Sequence, residues 1–100
     1  MSRGRKTTQL RRLISRDCVA MPGAFNAATA RLIENAGYSA VYVSGAGLAN
    51  ATAGVPDIGL LGLTEVARLA GYIAEAVGIP ALVDADTGFG SAFNVSRTVR

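Results

Sequence analysis

Val77-Gly78-Ile79-Pro80-Ala81-Leu82-Val83-Asp84 repeats the plan of an earlier stretch, Ala36-Gly37-Tyr38-Ser39-Ala40-Val41-Tyr42-Val43. Each runs from a helix end through Gly and two further residues into a strand. The strand residues are apolar without alternation. Such strands are covered on both faces, as in parallel sheets. Parallel neighbours need crossover connections, which run right-handed. The repeat therefore predicts an α/β fold built from consecutive β/α units.

Working outward, Val66, Leu69, Ala70, Ile73 and Val77 form an amphipathic stripe, with Thr64 placed to cap it and Gly78 to close it. Upstream, Ala24–Ala36 has helical character, with Phe25, Ala28, Leu32 and Ala36 on one face. Gly37 stands where a left-handed residue ends a helix. Cys18–Met21 reads as a first strand closed by a Pro22-Gly23 turn. Thr7 or Thr8 can cap a helix over Gln9–Ser15 with Leu10, Leu13 and Ile14 on one face. Residues 1–8 read as a flexible basic N-terminus. Ser44–Leu61, rich in Gly and Ala and holding Pro56, reads as a loop. After Ala81–Val83, a turn over Thr87-Gly88-Phe89-Gly90 leads into a helix starting near Asn94.

The whole chain, residues 1–100, reads as one incomplete domain of about three β/α units. Arg100 falls inside a helix with no stop signal. A closed eight-unit barrel takes ~200–250 residues. The expectation is the N-terminal part of a (β/α)₈ TIM-type barrel.

Half the residues are hydrophobic and 17% are charged, which excludes a disordered chain. The net charge of +3 is concentrated at the start. Arg3, Arg5, Lys6, Arg11, Arg12 and Arg16 supply six of ten basic residues. From Asp17 onward four basic residues face seven acidic ones. No aromatic or Gly-Arg pattern accompanies the leading charges, so no nucleic-acid partner is expected. No apolar run reaches the ~20 residues of a membrane span, and Pro22, Gly23 and Asn26 interrupt the only signal-peptide candidate. One cysteine, Cys18, cannot form an internal disulfide. A cytoplasmic setting is expected. Cys18 reads as a buried strand residue rather than a nucleophile. The absence of His excludes a Ser-His-Asp triad within these residues.

Chemistry in parallel β/α folds gathers at the C-terminal ends of the strands. Three segments fall there: Pro22-Gly23-Ala24-Phe25, Ser44-Gly45-Ala46-Gly47 and Asp84-Ala85-Asp86-Thr87-Gly88-Phe89-Gly90. Asp84 and Asp86 stand two apart on extended chain, so their carboxylates point to one side. Close carboxylates repel, and a hard divalent cation removes the conflict. Spacing alone leaves open a turn in which either Asp accepts local backbone N–H groups. Ser44-Gly45-Ala46-Gly47 can present N–H groups and a hydroxyl to an anion, or be an ordinary loop. Asp57, after Pro56, can reach a metal's water shell or merely make a turn. A dinucleotide site fits poorly, because Asn50 replaces the third Gly and no helix is expected directly after Gly47.

Tyr42-Val43-Ser44-Gly45-Ala46-Gly47, Gly54-Val55-Pro56-Asp57-Ile58-Gly59 and Val83–Gly90, in that order, resemble the isocitrate lyase and phosphoenolpyruvate mutase superfamily. The continuation Ser91–Val99 is especially similar to its 2-methylisocitrate lyase branch. The resemblance covers the chain from about Leu10. It implies a barrel enzyme, usually a homotetramer that swaps a helix between subunits. It further implies Mg²⁺-dependent cleavage of 2-methylisocitrate, a tricarboxylate, to pyruvate and succinate. Carried over by residue, Asp84 and Asp86 would hold Mg²⁺ and Asp57 would support its shell. Ser44, Gly45 and Ala46 would bind the pyruvate carboxylate, and Tyr42 would line the pocket. Ala46 departs from the Gly common in that branch, which leaves relatives such as oxaloacetate decarboxylase, dimethylmalate lyase and carboxyphosphonoenolpyruvate phosphonomutase open. The family's Lys-x-Cys-Gly-His loop, which supplies catalytic groups, has no counterpart in these residues. No catalytic acid or base is therefore assigned here, and the segment alone is expected to be inert. A non-catalytic anion-binding or interaction module is the alternative of another class.

Overall fold

The computed structural model describes residues 5–100. Expectations for residues 1–4, Arg3 among them, lie outside the described residues. Helix α1 spans Lys6–Arg16, so Thr7 and Thr8 sit inside its first turn and cap nothing; Arg5 takes the cap position without a side-chain bond. The early start has a cause. The Lys6 ammonium donates to the carbonyls of Ala74 and, at 2.7 Å, Val77. The Ala74 oxygen lies in the last turn of a later helix, where carbonyls lack partners within the helix, and Val77 follows that helix directly. The negative end of a helix dipole also favours a cation. No residue of α1 is fully buried, and Ile14 is 56% exposed, so the expected apolar face is only lightly used.

The expected strand over Cys18–Met21 does not form. Strand β1 is Gly23–Ala24, where the turn was expected. It runs parallel to β2, Val41–Val43, pairing Gly23 with Tyr42 and Ala24 with Val43. In that register Cys18–Met21 lies alongside residues before β2 begins, so it has no ladder to join. Pro22 fits the start of the strand because its carbonyl accepts the Tyr42 N–H at 3.0 Å and no proline N–H is required. Cys18 is exposed rather than buried.

Helix α2, Ala27–Asn35, is capped by Asn26, whose side chain accepts the Thr29 N–H at 2.8 Å. Its buried residues are Ala30 and Ile33. Leu32, expected on the inner face, is 69% exposed. At 100° per residue Ile33 and Leu32 cannot share the same narrow contact, and the β-branched residue faces the sheet. Gly37 ends the helix at φ +97, with Gly37 N–H donating to Glu34 O and Tyr38 N–H to Ile33 O, as expected of a left-handed cap.

The expected loop over Ser44–Leu61 is helical in its first half. Ser44 caps a short helix α3, Gly45–Gly47, which runs on as a π-helical stretch, Leu48–Ala53. Gly54 closes it in the left-handed region at φ 66. Helix α4, Leu63–Ala76, follows the expected stripe, with Val66, Ala70 and Ile73 buried. Its cap is Gly62 rather than Thr64, and Glu65 accepts the Gly62 N–H at 3.3 Å. Gly78 does not close the helix in a left-handed turn. Val77 leaves it extended, and the Gly78 N–H donates to Glu34 Oε2 at 2.7 Å, tying the ends of α2 and α4.

Strand β3, Ala81–Val83, pairs parallel with β2 in the register Val41–Ala81, Tyr42–Leu82, Val43–Val83. The sheet order is β1-β2-β3. Helix α5, Ala92–Val99, follows. The core joins Ala24, Val41 and Val43 to Ala30, Ile33, Leu48, Val66, Ala70, Ile73 and Val77. Helices thus cover the Val41/Val43 face. The opposite face, carrying half-buried Tyr42 and Leu82 at 44% exposure, is not closed over by the described residues. Among the described residues, no helix is long and apolar enough to cross a membrane.

Candidate functional site

The C-terminal ends of β2 and β3 lie side by side, and the Asp84 N–H donates to Val43 O at 3.0 Å. This places Ser44–Ala46 beside Asp84–Asp86. Ser44 Oγ accepts the Gly47 N–H at 3.1 Å, which leaves its own proton free to donate. Gly45 and Ala46 are the first helical residues, where N–H groups lack partners within the helix.

The two carboxylates converge on Gly45. A Cβ built there would lie 3.3 Å from Asp84 Oδ2 and 3.8 Å from Asp86 Oδ1. Gly45 is helical and not left-handed, so its backbone does not require glycine. A side chain there would instead press on the Asp84 carboxylate by a few tenths of an ångström, with Asp86 at ordinary contact distance. The expected turn is also present, since Asp84 Oδ1 accepts the Asp86 N–H at 3.0 Å. One Asp84 oxygen fixes the loop while the other faces Gly45. Turn and ligand geometry are compatible here, not rivals.

Asp57 does not join the pair. It shares a cleft of about 370 Å³ with Asp86, Thr87 and Phe89. Among the described residues, no three acidic, Cys or His side chains are close enough to hold a metal together. Two oxygen donors suit Mg²⁺, which keeps several waters and takes one or two carboxylates. Tyr42 stands on the strand face opposite Val41 and Val43, below the same strand ends.

The loop itself is unusual. Asp86 (φ 46), Gly88, Phe89 (φ 63) and Gly90 all adopt positive φ. Asp tolerates this better than most residues; a phenylalanine there costs about 1–2 kcal/mol. The Gly88 N–H donates to Ala85 O at 2.9 Å, and Phe89 packs against the core. From α5, Asn94 Nδ2 donates to Phe89 O at 2.8 Å and Thr98 Oγ1 to Gly88 O at 2.8 Å. Sequence reasoning gave no role to Phe89, Asn94 or Thr98, although they lie in segments it singled out. Their signal was the helical i, i+4 spacing of two bonding side chains, the first of them four residues after the Gly-x-Gly. The ground that no helix follows Gly47 also falls, because one does.

Gly45→Ala separates fold from site. Alanine in a helix is favoured over glycine by about 1 kcal/mol, so thermal stability should hold or rise. The methyl would crowd Asp84, and Mn²⁺ affinity of the full-length protein should fall about tenfold. Titration showing unchanged affinity would remove the close approach from the account.

Residues 10–100 match the family described as phosphoenolpyruvate phosphomutase. The chain is 51% identical over 92 residues to 2-methylisocitrate lyase of Aeropyrum pernix, covering 91% of this chain and 30% of that relative. It is 48% identical over 93 residues to 2,3-dimethylmalate lyase of Eubacterium barkeri, covering 92% and 32%. A phosphonopyruvate hydrolase solved with oxalate and Mg²⁺ superimposes with a TM-score of 0.83 at 38% identity, over 94% of this chain and 33% of that one. The chain therefore spans about a third of the length of the curated relatives it matches.

Proposed function

Because this chain belongs to the phosphoenolpyruvate phosphomutase family, we propose that its full-length protein is a Mg²⁺-dependent carbon–carbon lyase cleaving 2-methylisocitrate to pyruvate and succinate. The observation that carries the reading is the convergence of Asp84 and Asp86 on a glycine at the mouth of two parallel strands. Identity to a 2-methylisocitrate lyase across 91% of the chain supports the substrate.

In this reading Asp84 and Asp86 would hold Mg²⁺, directly or through water. Bound there, the cation would stabilise negative charge developing on the oxygens of the pyruvate half. The chain's own residues bind and orient. The Ser44 hydroxyl and the N–H groups of Gly45 and Ala46 take the carboxylate of that half. Tyr42 lines the pocket beneath it. Asp57, across the cleft it shares with Asp86, would support the metal through water. Removal of the substrate hydroxyl proton and protonation of the departing carbon fall to residues outside this segment. The reading carries with it a cytoplasmic homo-oligomer.

A second substrate reading, 2,3-dimethylmalate, is favoured by nearly equal identity to a lyase acting on it. Pyruvate release by the full-length protein from each compound, with succinate as the co-product of 2-methylisocitrate and propionate that of 2,3-dimethylmalate, separates the two. The expectation is about tenfold or greater preference in kcat/KM for 2-methylisocitrate. The reverse preference would transfer the assignment, and cleavage of neither would end the lyase reading.

A further inference from the structure

We infer that Asn94 and Thr98 are positioning residues for the Asp84–Asp86 pair, acting through the backbone of the loop between them; this deepens the proposed function and rests on it. Residues 86, 88, 89 and 90 of the loop all lie at positive φ, and the non-glycine residues Asp86 and Phe89 carry strain there. Two of these residues, Gly88 and the strained Phe89, are each gripped at the carbonyl by one α5 side chain at 2.8 Å. Both side chains are half-buried.

Neither residue is chosen for the helix. Asn and Thr rank well below Ala or Leu as helix formers. The Thr98 hydroxyl also reaches its own helix at Asn94 O, 3.0 Å away, but the bond to Gly88 O is the shorter. Packing agrees with the bonds. A Cβ at Gly88 would come within 2.5 Å of Val95, and one at Gly90 within 2.5 Å of Asn94, so backbone and helix are in direct contact. Holding the carbonyls of residues 88 and 89 fixes the turn that starts at Ala85. That turn contains Asp86, whose N–H is bonded to Asp84. Release of α5 lets the turn relax toward negative φ and swings the Asp86 carboxylate away from Gly45.

The test uses the full-length protein with Mn²⁺ as probe, and amide exchange of residues 85–90 without metal. Thr98→Val keeps the shape and deletes the donor; Thr98→Ser keeps the donor. Expected for Thr98→Val are Mn²⁺ affinity lower by about tenfold or more and faster exchange at Asp86 and Gly88, with Thr98→Ser near wild type. Asn94→Ala should act in the same direction and serves if Thr98→Val does not fold. A folded variant with wild-type exchange at Asp86 would overturn the inference. Wild type that binds no Mn²⁺ would sink the metal reading, while the exchange comparison would still decide whether α5 holds the pair.

Discussion

Asp84→Asn in the full-length protein is expected to lower turnover about a thousandfold with little change in stability. Asparagine keeps an oxygen where Asp84 Oδ1 accepts the Asp86 N–H, so the turn survives. What disappears is the charge facing Gly45 and with it one of two anionic donors. Alanine at the same position removes the turn bond as well. Asp84→Ala should therefore match the loss of turnover and add faster amide exchange at Asp86. The pair of variants separates the metal from the loop: equal turnover with unequal exchange is the signature of a ligand that also shapes its own support. Normal turnover in Asp84→Asn would show that its charge takes no part in the reaction and would undo the site assignment.

Gly88→Ala should destabilise the protein by about 3 kcal/mol, the sum of left-handed strain and overpacking. Gly88 has φ +94, and an added Cβ would lie 2.5 Å from Val95 Cγ2 and 3.1 Å from Val95 Cα. The second contact is backbone, so a rotamer change of Val95 cannot relieve it. Gly37→Ala is the control. Gly37 has nearly the same φ, +97, but nothing within 4 Å of the added carbon, so only the strain of about 1 kcal/mol remains. Urea denaturation of both variants measures the difference. Equal losses would mean that α5 yields without cost and does not press on the loop.

The α/β class and the parallel order were legible because Val41–Val43 and Ala81–Val83 are short apolar runs preceded by helix ends. Those signals are local. The stripe on α4 was legible for the same reason. The beginning of the chain was not. The position of β1 depends on which residues β2 offers as partners, and no feature of Cys18–Met21 reveals that. Likewise the start of α1 is set by a Lys6 contact with residues some seventy positions away. The helical run after Ser44 was hidden by its glycines, which lower propensity, while the Ser44 cap that offsets them was read only as an anion donor. At the site, the acidic pair and the small-residue segment were visible by type and spacing. Their approach through Gly45 was not, because a glycine in a helix looks like a weakness until the neighbour occupying its missing side chain is known.

The reach of Lys6 to the carbonyls of Ala74 and Val77 has a consequence for synthesis. Helix α1 finds its docking point only once the end of α4 has been made. Until then Lys6 has no seat, and β1 through α4 assemble while α1 is undocked. Closing a loop of that length is entropically costly. Helix α1 is thus later to settle than the elements from β1 to α4.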